Sequence, residues 1–271
     1  RLEKTKEKFL DIDIIKEKSI LDRELMLMKE MIDFYKYDDG LELAGLADIT
    51  KMMNSIDIIG SYLSVEDLAT LKKNLTIFRI SKSRAKNVRD KYKTIWNLFS
   101  DVEEVREIEN FISEAINDEG ILKDDASIGL RDVRRQKQNI NANIKEKFDE
   151  LISNKNTQNA IQERIVTQRN DRYVIAVKTD FKGLIKGIEH DRSATGSTVY
   201  IEPLNVVSLN NKLREYEARE REEIRKILLR ITEIVKTKKE EILEIKEILE
   251  RLDYLNAKTV YSINKKCTVP K

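Results

Sequence analysis

With 271 residues, 40% hydrophobic and 37% charged, the chain can bury a sizeable core but is more charged than an average compact globule. Its 51 basic and 49 acidic residues nearly cancel, which excludes a global basic field and leaves any nucleic-acid binding to a local patch. The single cysteine, Cys267, excludes an internal disulfide framework and fits a reducing, cytoplasmic setting. No apolar run approaches about 18 residues and no signal-peptide pattern opens the chain, so neither a membrane partner nor export is expected.

Eight glycines and two prolines predict long uninterrupted helices. Residues 1–124 read as a helical core. Ile14, Ile15, Ile20, Leu21, Leu25, Met28, Met31, Ile32 and Tyr35 recur at helical spacing until Asp39-Gly40 and Gly45 break the pattern. Asp48 is placed to cap a helix through Ile59, with Gly60 at its end. Ser64 and Asp67 resemble a capping box opening a helix through Leu68, Leu71, Leu75 and Phe78. Apolar positions then follow from Val88 to Phe99 and from Val102 to Ile116, where the aromatics read as packing.

From about Ser127 the pattern thins to one stripe, Leu130, Val133, Lys137, Ile140, Ile144, Phe148 and Leu151, spaced as in a coiled-coil arm. Residues 125–158 are therefore expected as an outgoing helix. Residues 159–204 carry strand signals: 160–166, the turn Arg169-Asn170-Asp171, the β-branched run 173–177, 184–188 with Gly187, and 197–201 after Ala194-Thr195-Gly196. These predict an antiparallel sheet of about four strands with Tyr173, Val174, Ile175, Val177, Val199 and Ile201 as its core. A second seam from Leu209 to Leu255, interrupted at Glu220 and Lys238 and roughly 70 Å long at the helical rise, predicts a returning helix over 205–255. Residues 256–271 then return to the core. The expected fold class is mainly α: a helical core with a long antiparallel coiled-coil-like arm capped by a small β clamp. The opening at Arg1 and the closing run 267–271 suggest a piece of a longer protein.

Chemical motifs are sparse. Neither G-x-x-x-x-G-K-[ST] nor G-x-G-x-x-G occurs, and one histidine with one cysteine makes a zinc site improbable. His190, Asp191 and Ser193 invite a hydrolase reading, but three groups within four residues rarely reach triad geometry, and His190 reads as structural at a strand end. The acidic residues on helix faces read as solvated partners of Lys and Arg. What remains is binding. Between 164 and 192, seven basic residues face four acidic ones, a net of +3, and Arg131, Arg134, Arg135 and Lys137 stand against Asp132, also +3. Such excesses suit phosphate contacts, and a solvated basic face has the same composition.

Four segments then carry a resemblance: DDASIGLRDVR (124–134), IVTQRNDRYVIAVK (165–178), GIEHDRSATGSTVYIEP (187–203) and VVSLNNKLREYEAREREEIRKIL (206–228). Together they resemble the type-two bacterial MutS paralogues, with Ala176 where that family usually has proline and Thr195 where it usually has serine. The resemblance implies a core, lever and clamp region that grips duplex or branched DNA in a parent that suppresses homologous recombination. It also implies that the parent continues into an ATPase domain using ATP and Mg²⁺, dimerises, and usually carries a nuclease module. None of that chemistry falls on residues of this chain, so no catalytic residue, metal or cofactor is expected here. The expected nucleic-acid contacts are Arg169, Arg172, Lys178, Lys182, Lys186 and Arg192. Asn210 and Asn211 match a family motif, with a helix-start hydrogen-bonding role equally open. Two alternatives are a ribosome-binding arm that recognises collided ribosomes and a purely mechanical coiled-coil arm.

Overall fold

The structure, a computed structural model, describes residues 2–11 and 14–268. Arg1 and residues 269–271, on which part of the expectation of a longer parent rests, lie outside the described residues. The described chain is mainly helical with one small antiparallel sheet. Among the described residues no helix is long and apolar enough to cross a membrane.

Helix α1 (Glu3–Leu10) is tied down by Asp253, whose carboxylate accepts from the Leu2 amide at 2.9 Å and the Thr5 hydroxyl at 2.7 Å. Helix α2 (Lys18–Tyr37) buries Leu27, Met28, Met31 and Phe34. Ile14 and Ile15 precede it, and Ile20 and Leu21 on its first turn remain exposed, so the buried stripe starts later than the apolar spacing suggests. Asp48 accepts from the Thr50 amide and hydroxyl, but the helix it serves, α3 (Thr50–Ser55), stops short of Ile59. The cause is local: the Ile58 amide closes a three-residue turn onto Ser55 O and Ser61 Oγ donates to the same carbonyl, which the Ile59 amide would use in another helical turn.

Helix α4 (Val65–Asn87) opens on a complete capping box. The Asp67 amide donates to Ser64 Oγ at 3.0 Å and the Ser64 amide donates to the Asp67 carboxylate at 3.1 Å. After the short α5 (Lys93–Trp96) and α6 (Arg106–Ala115) comes α7 (Ile128–Ser153), capped by Ser127 and burying Leu130, Ile140, Ile144 and Phe148. The strands β1 (Ile161–Arg169), β2 (Arg172–Lys178), β3 (Gly187–Arg192) and β4 (Thr198–Pro203) follow, then α8 (Leu204–Thr237) and α9 (Lys239–Asn264). The returning helix expected over 205–255 is thus two helices that extend past it. They part at Lys238, whose amide bonds the Val235 carbonyl while Thr237 Oγ1 donates to Ile234 O. This three-residue closure tightens the last turn of α8 and ends it.

The chain divides into two compact units, Asp124–Lys226 and the remainder. In the helical unit α9 packs on α1, α2 and α4, and α4 also packs on α5 and α6. Several of its buried polar groups are paired, while Ser81 Oγ and Asn256 Oδ1 have no hydrogen-bond partner among the described residues. The Asn74 amide bonds both backbone groups of Ala47, and Glu109 accepts from Thr76 and Arg79. Thr232, with no exposed surface, accepts from the Leu63 amide at 2.9 Å and donates to the Leu228 carbonyl at 2.8 Å.

That last pair makes a test. Replacing Thr232 by the isosteric valine leaves the buried Leu63 N–H without an acceptor, a loss of about 1–3 kcal/mol of stability measured by urea unfolding. Serine at the same position restores most of it.

Candidate nucleic-acid interface

The sheet order is β1-β2-β4-β3, every neighbouring pair antiparallel. Between β1 and β2, Asn170 and Asp171 both adopt positive φ, 51° and 58°, as a two-residue hairpin with a type I′ turn requires. β2 and β3 run parallel across β4, so the chain must cross over between them. It does so through a 3-10 turn, Thr179–Leu184, where a strand beginning at Leu184 was expected. Lys178 and Ile185 flank that turn in extended conformation, and pairing resumes only at Gly187 opposite Pro203. A side chain at Gly187 would collide with the Glu202 carbonyl, its Cβ falling 2.3 Å from that oxygen.

Strand alternation gives the sheet two faces. Ile175, Val177, Val199 and Ile201 join Phe148, Ile140 and Ile144 of α7 in one apolar cluster, and Tyr173 packs against its margin. Val174 is equally buried but alternates to the other face. On that face sits a group the sequence reading missed. Glu202 of β4 has no exposed surface, and its carboxylate meets three elements at once. Oε1 accepts from Arg172 Nη1 at 2.7 Å and from Asn210 Nδ2 at 2.9 Å, and Oε2 lies 2.6 Å from His190 Nε2. Asn210 also accepts from the Tyr173 amide and donates to the Tyr173 carbonyl, and Arg172 Nη2 donates to Asn211 at 2.7 Å. Burial by itself raises the Glu202 pKa, yet the hydrogen bonds from Asn210, His190 and Arg172 outweigh it and hold the carboxyl below its ordinary range. The signal was present in the sequence: a lone carboxylate inside the apolar strand TVYIEP needs partners.

His190 therefore has a structural partner, although it lies inside β3 at a register shift and not at the strand end. Arg172 departs most from the expected contact set, because its guanidinium is turned inward and held by Glu202 and Asn211. The other five expected contacts sit at or near the surface. Arg169 stacks 4.3 Å over the Tyr200 ring and lies 3.4 Å from Asp191. Arg192 pairs with Glu189, and Lys182 stands 3.7 Å from the same carboxylate. Lys178 donates to the Asn159 carbonyl at 3.2 Å, and Lys186 is exposed with no partner for its ammonium among the described residues. Arg169, Lys182, Lys186 and Arg192 thus gather around the edge strand β3. Exposed ion pairs of this kind contribute only about 0–1 kcal/mol, so these cations can exchange a carboxylate for a phosphate at little cost.

The second basic cluster is less available. Arg134 and Lys137 of α7 both pair with Glu220 of α8, Arg134 at 2.9 Å, and Arg134 also meets Asp124. Glu220 interrupts the apolar seam because it is the ionic cross-link between these two helices. Among the described residues no group of three or more His, Cys, Asp or Glu is placed to hold a metal ion.

Glu202 makes a pH-dependent prediction. Its folded-state pKa lies below the unfolded value, so its stabilisation is present above the ordinary carboxylate pKa and is lost as pH falls through the depressed one. E202Q is expected to be less stable than the parent by about 1–3 kcal/mol at neutral pH. That gap should close on acidification when urea unfolding is followed from pH 7 to below pH 4.

No protein-family model matches the chain. Curated proteins named Endonuclease MutS2 do. That of Fusobacterium nucleatum is 48% identical over 260 residues, which is 96% of this chain and 33% of the relative. That of Caldanaerobacter subterraneus is 35% identical over 269 residues, 98% of this chain and 33% of the relative. That of Finegoldia magna is 45% identical over 160 residues, 59% of this chain and 20% of the relative. The chain spans about a third of the length of the first two relatives. The likeness to the first two runs through both compact units, and the chain belongs to the MutS2 family.

Proposed function

We propose that this chain is a DNA-gripping region of a MutS2 protein, and that its sheet-bearing unit holds duplex or branched DNA through the phosphate backbone. The observation that carries this reading is the gathering of Arg169, Lys182, Lys186 and Arg192 around one edge strand of a sheet locked by the Glu202 network. Phosphate contacts need charge and reach, and they carry no sequence information, so the grip is non-specific with respect to base sequence.

Under this reading the chain couples DNA to chemistry done elsewhere in a homodimeric parent that restrains homologous recombination. The name of these relatives, Endonuclease MutS2, belongs to proteins about three times as long, and we assign no cleavage step to residues of this chain. Nor do we assign it an ATP or Mg²⁺ site, since no Gly-rich phosphate loop occurs in its sequence. The same cations also suit ribosomal RNA, whose backbone offers the same charge.

A triple variant, Lys182→Gln, Lys186→Gln and Arg192→Gln, tests the proposal by fluorescence anisotropy across a salt series. Each lost phosphate contact should lower the slope of log K against log salt by about 0.9, so the triple variant should bind more weakly and with a slope reduced by roughly 2–3. An unchanged slope contradicts the reading. Tighter competition by ribosomal subunits than by branched DNA at equal salt would transfer the grip to RNA.

A further inference from the structure

Resting on the phosphate-gripping reading, we infer that Phe181, with Leu184 beside it, is a base-stacking tip that takes an unstacked nucleobase, such as one at a bulge, gap or branch.

The crossover turn Thr179–Leu184 reads TDFKGL and buries none of its residues. Phe181 is 44% exposed and Leu184 53%. The backbone around them is nevertheless firmly held. Thr179 donates its amide to the Ser197 carbonyl at 3.0 Å and its hydroxyl to the Gly196 carbonyl at 2.6 Å. On the other side Ile185 is buried in the apolar cluster, and the Lys186 carbonyl accepts from the Leu204 amide at 3.0 Å. A turn that tucks Ile185 into the core while leaving a phenyl ring in water presents that ring on a fixed platform. Gly183, between the two apolar residues, has no heavy atom beyond those of its own chain neighbours within 4 Å of where a Cβ would stand, so nothing else in the fold covers the turn there.

Charge identifies the occupant. Lys178, Lys182 and Lys186 come before, within and after the turn, all exposed or half-buried. An exposed apolar ring on a segment whose three lysines outnumber its one acid, Asp180, matches a nucleotide, whose base offers a π-face and whose flanking phosphates offer charge. A second copy of this chain fits poorly. Two side chains fall far short of the about 800 Å² per partner of a stable interface, and the lysines of two such tips repel each other. Isolated exposed apolar residues are ordinary on protein surfaces. What distinguishes this pair is the pinned turn together with the flanking cations. The consequence is a preference for DNA with unpaired bases that phosphate contacts alone do not supply.

The test compares the parent chain with F181A on a regular duplex and on the same duplex carrying a bulged fluorescent adenine analogue. F181A is expected to lose about tenfold in affinity for the bulged DNA and less than about twofold for the regular duplex. Its salt slope should equal the parent's, since no counterion contact is removed. The analogue's fluorescence should be quenched on binding the parent and not on binding F181A. Equal losses on both DNAs, no loss on either, or identical quenching overturns the inference and leaves the phosphate reading standing. Failure of the parent chain to bind any DNA overturns both. Concentration-dependent self-association that F181A abolishes would assign the tip to a second copy and overturn it too.

Discussion

A carboxylate with no exposed surface, next to last in strand β4, is the constraint from which the sheet-bearing unit follows. Left unpaired, Glu202 would cost several kcal/mol, and the fold meets that cost with one residue from each of three other elements. Arg172 comes from β2, His190 from β3 and Asn210 from α8. Register is therefore fixed by chemistry as well as by hydrophobicity. A one-residue slip of β4 would swing Glu202 to the face where Ile175, Val177 and Phe148 pack, and would bring Ile201 out of it. Asn210 extends the same control to the helix, since it also bonds both backbone groups of Tyr173 and so sets the start of α8 against β2. Further along, Glu220 holds α8 to α7 by the same means.

These two acidic centres divide the basic residues into two populations. Arg172, Arg134 and Lys137 are held by buried or half-buried carboxylates and serve the fold. Arg169, Lys182 and Arg192 meet only exposed or half-exposed acids, Asp191 and Glu189, and Lys186 meets none among the described residues. In the proposed function the second population forms the grip. The same charges surround an edge strand, and edge charges also discourage a second sheet from adding there. The crossover between β2 and β3 then adds an apolar element to that basic surface.

Features set by near neighbours in sequence were legible, and those set by distant partners were not. The Ser64 and Asp67 capping box, the stripe from Leu130 to Phe148, the hairpin turn at Asn170-Asp171 and the alternation of β2 depend on residues within a few positions of one another. Arg172 was counted as a surface contact because its partner Glu202 lies 30 residues away, and no local pattern links them. Glu220 read as a fault in the seam because its partners are 86 and 83 residues away on α7. Leu184 read as strand because an apolar run with glycine suits either a strand or a tight crossover, and only the sheet order decides which. Lys238 did mark an interruption, but periodicity carries on across a break of one residue, and so the seam read as a single helix. Family resemblance suggested the ligand that is proposed, which charge counts alone left open.

The central claim is that the cations around β3 touch nucleic-acid backbone. Its most direct test is a photo-cross-linking residue placed at position 186 and illuminated with labelled branched DNA at low salt. The account predicts a covalent protein–DNA adduct whose yield falls steeply as salt is raised. An absence of adduct at low salt, while the chain still binds the DNA, would contradict it.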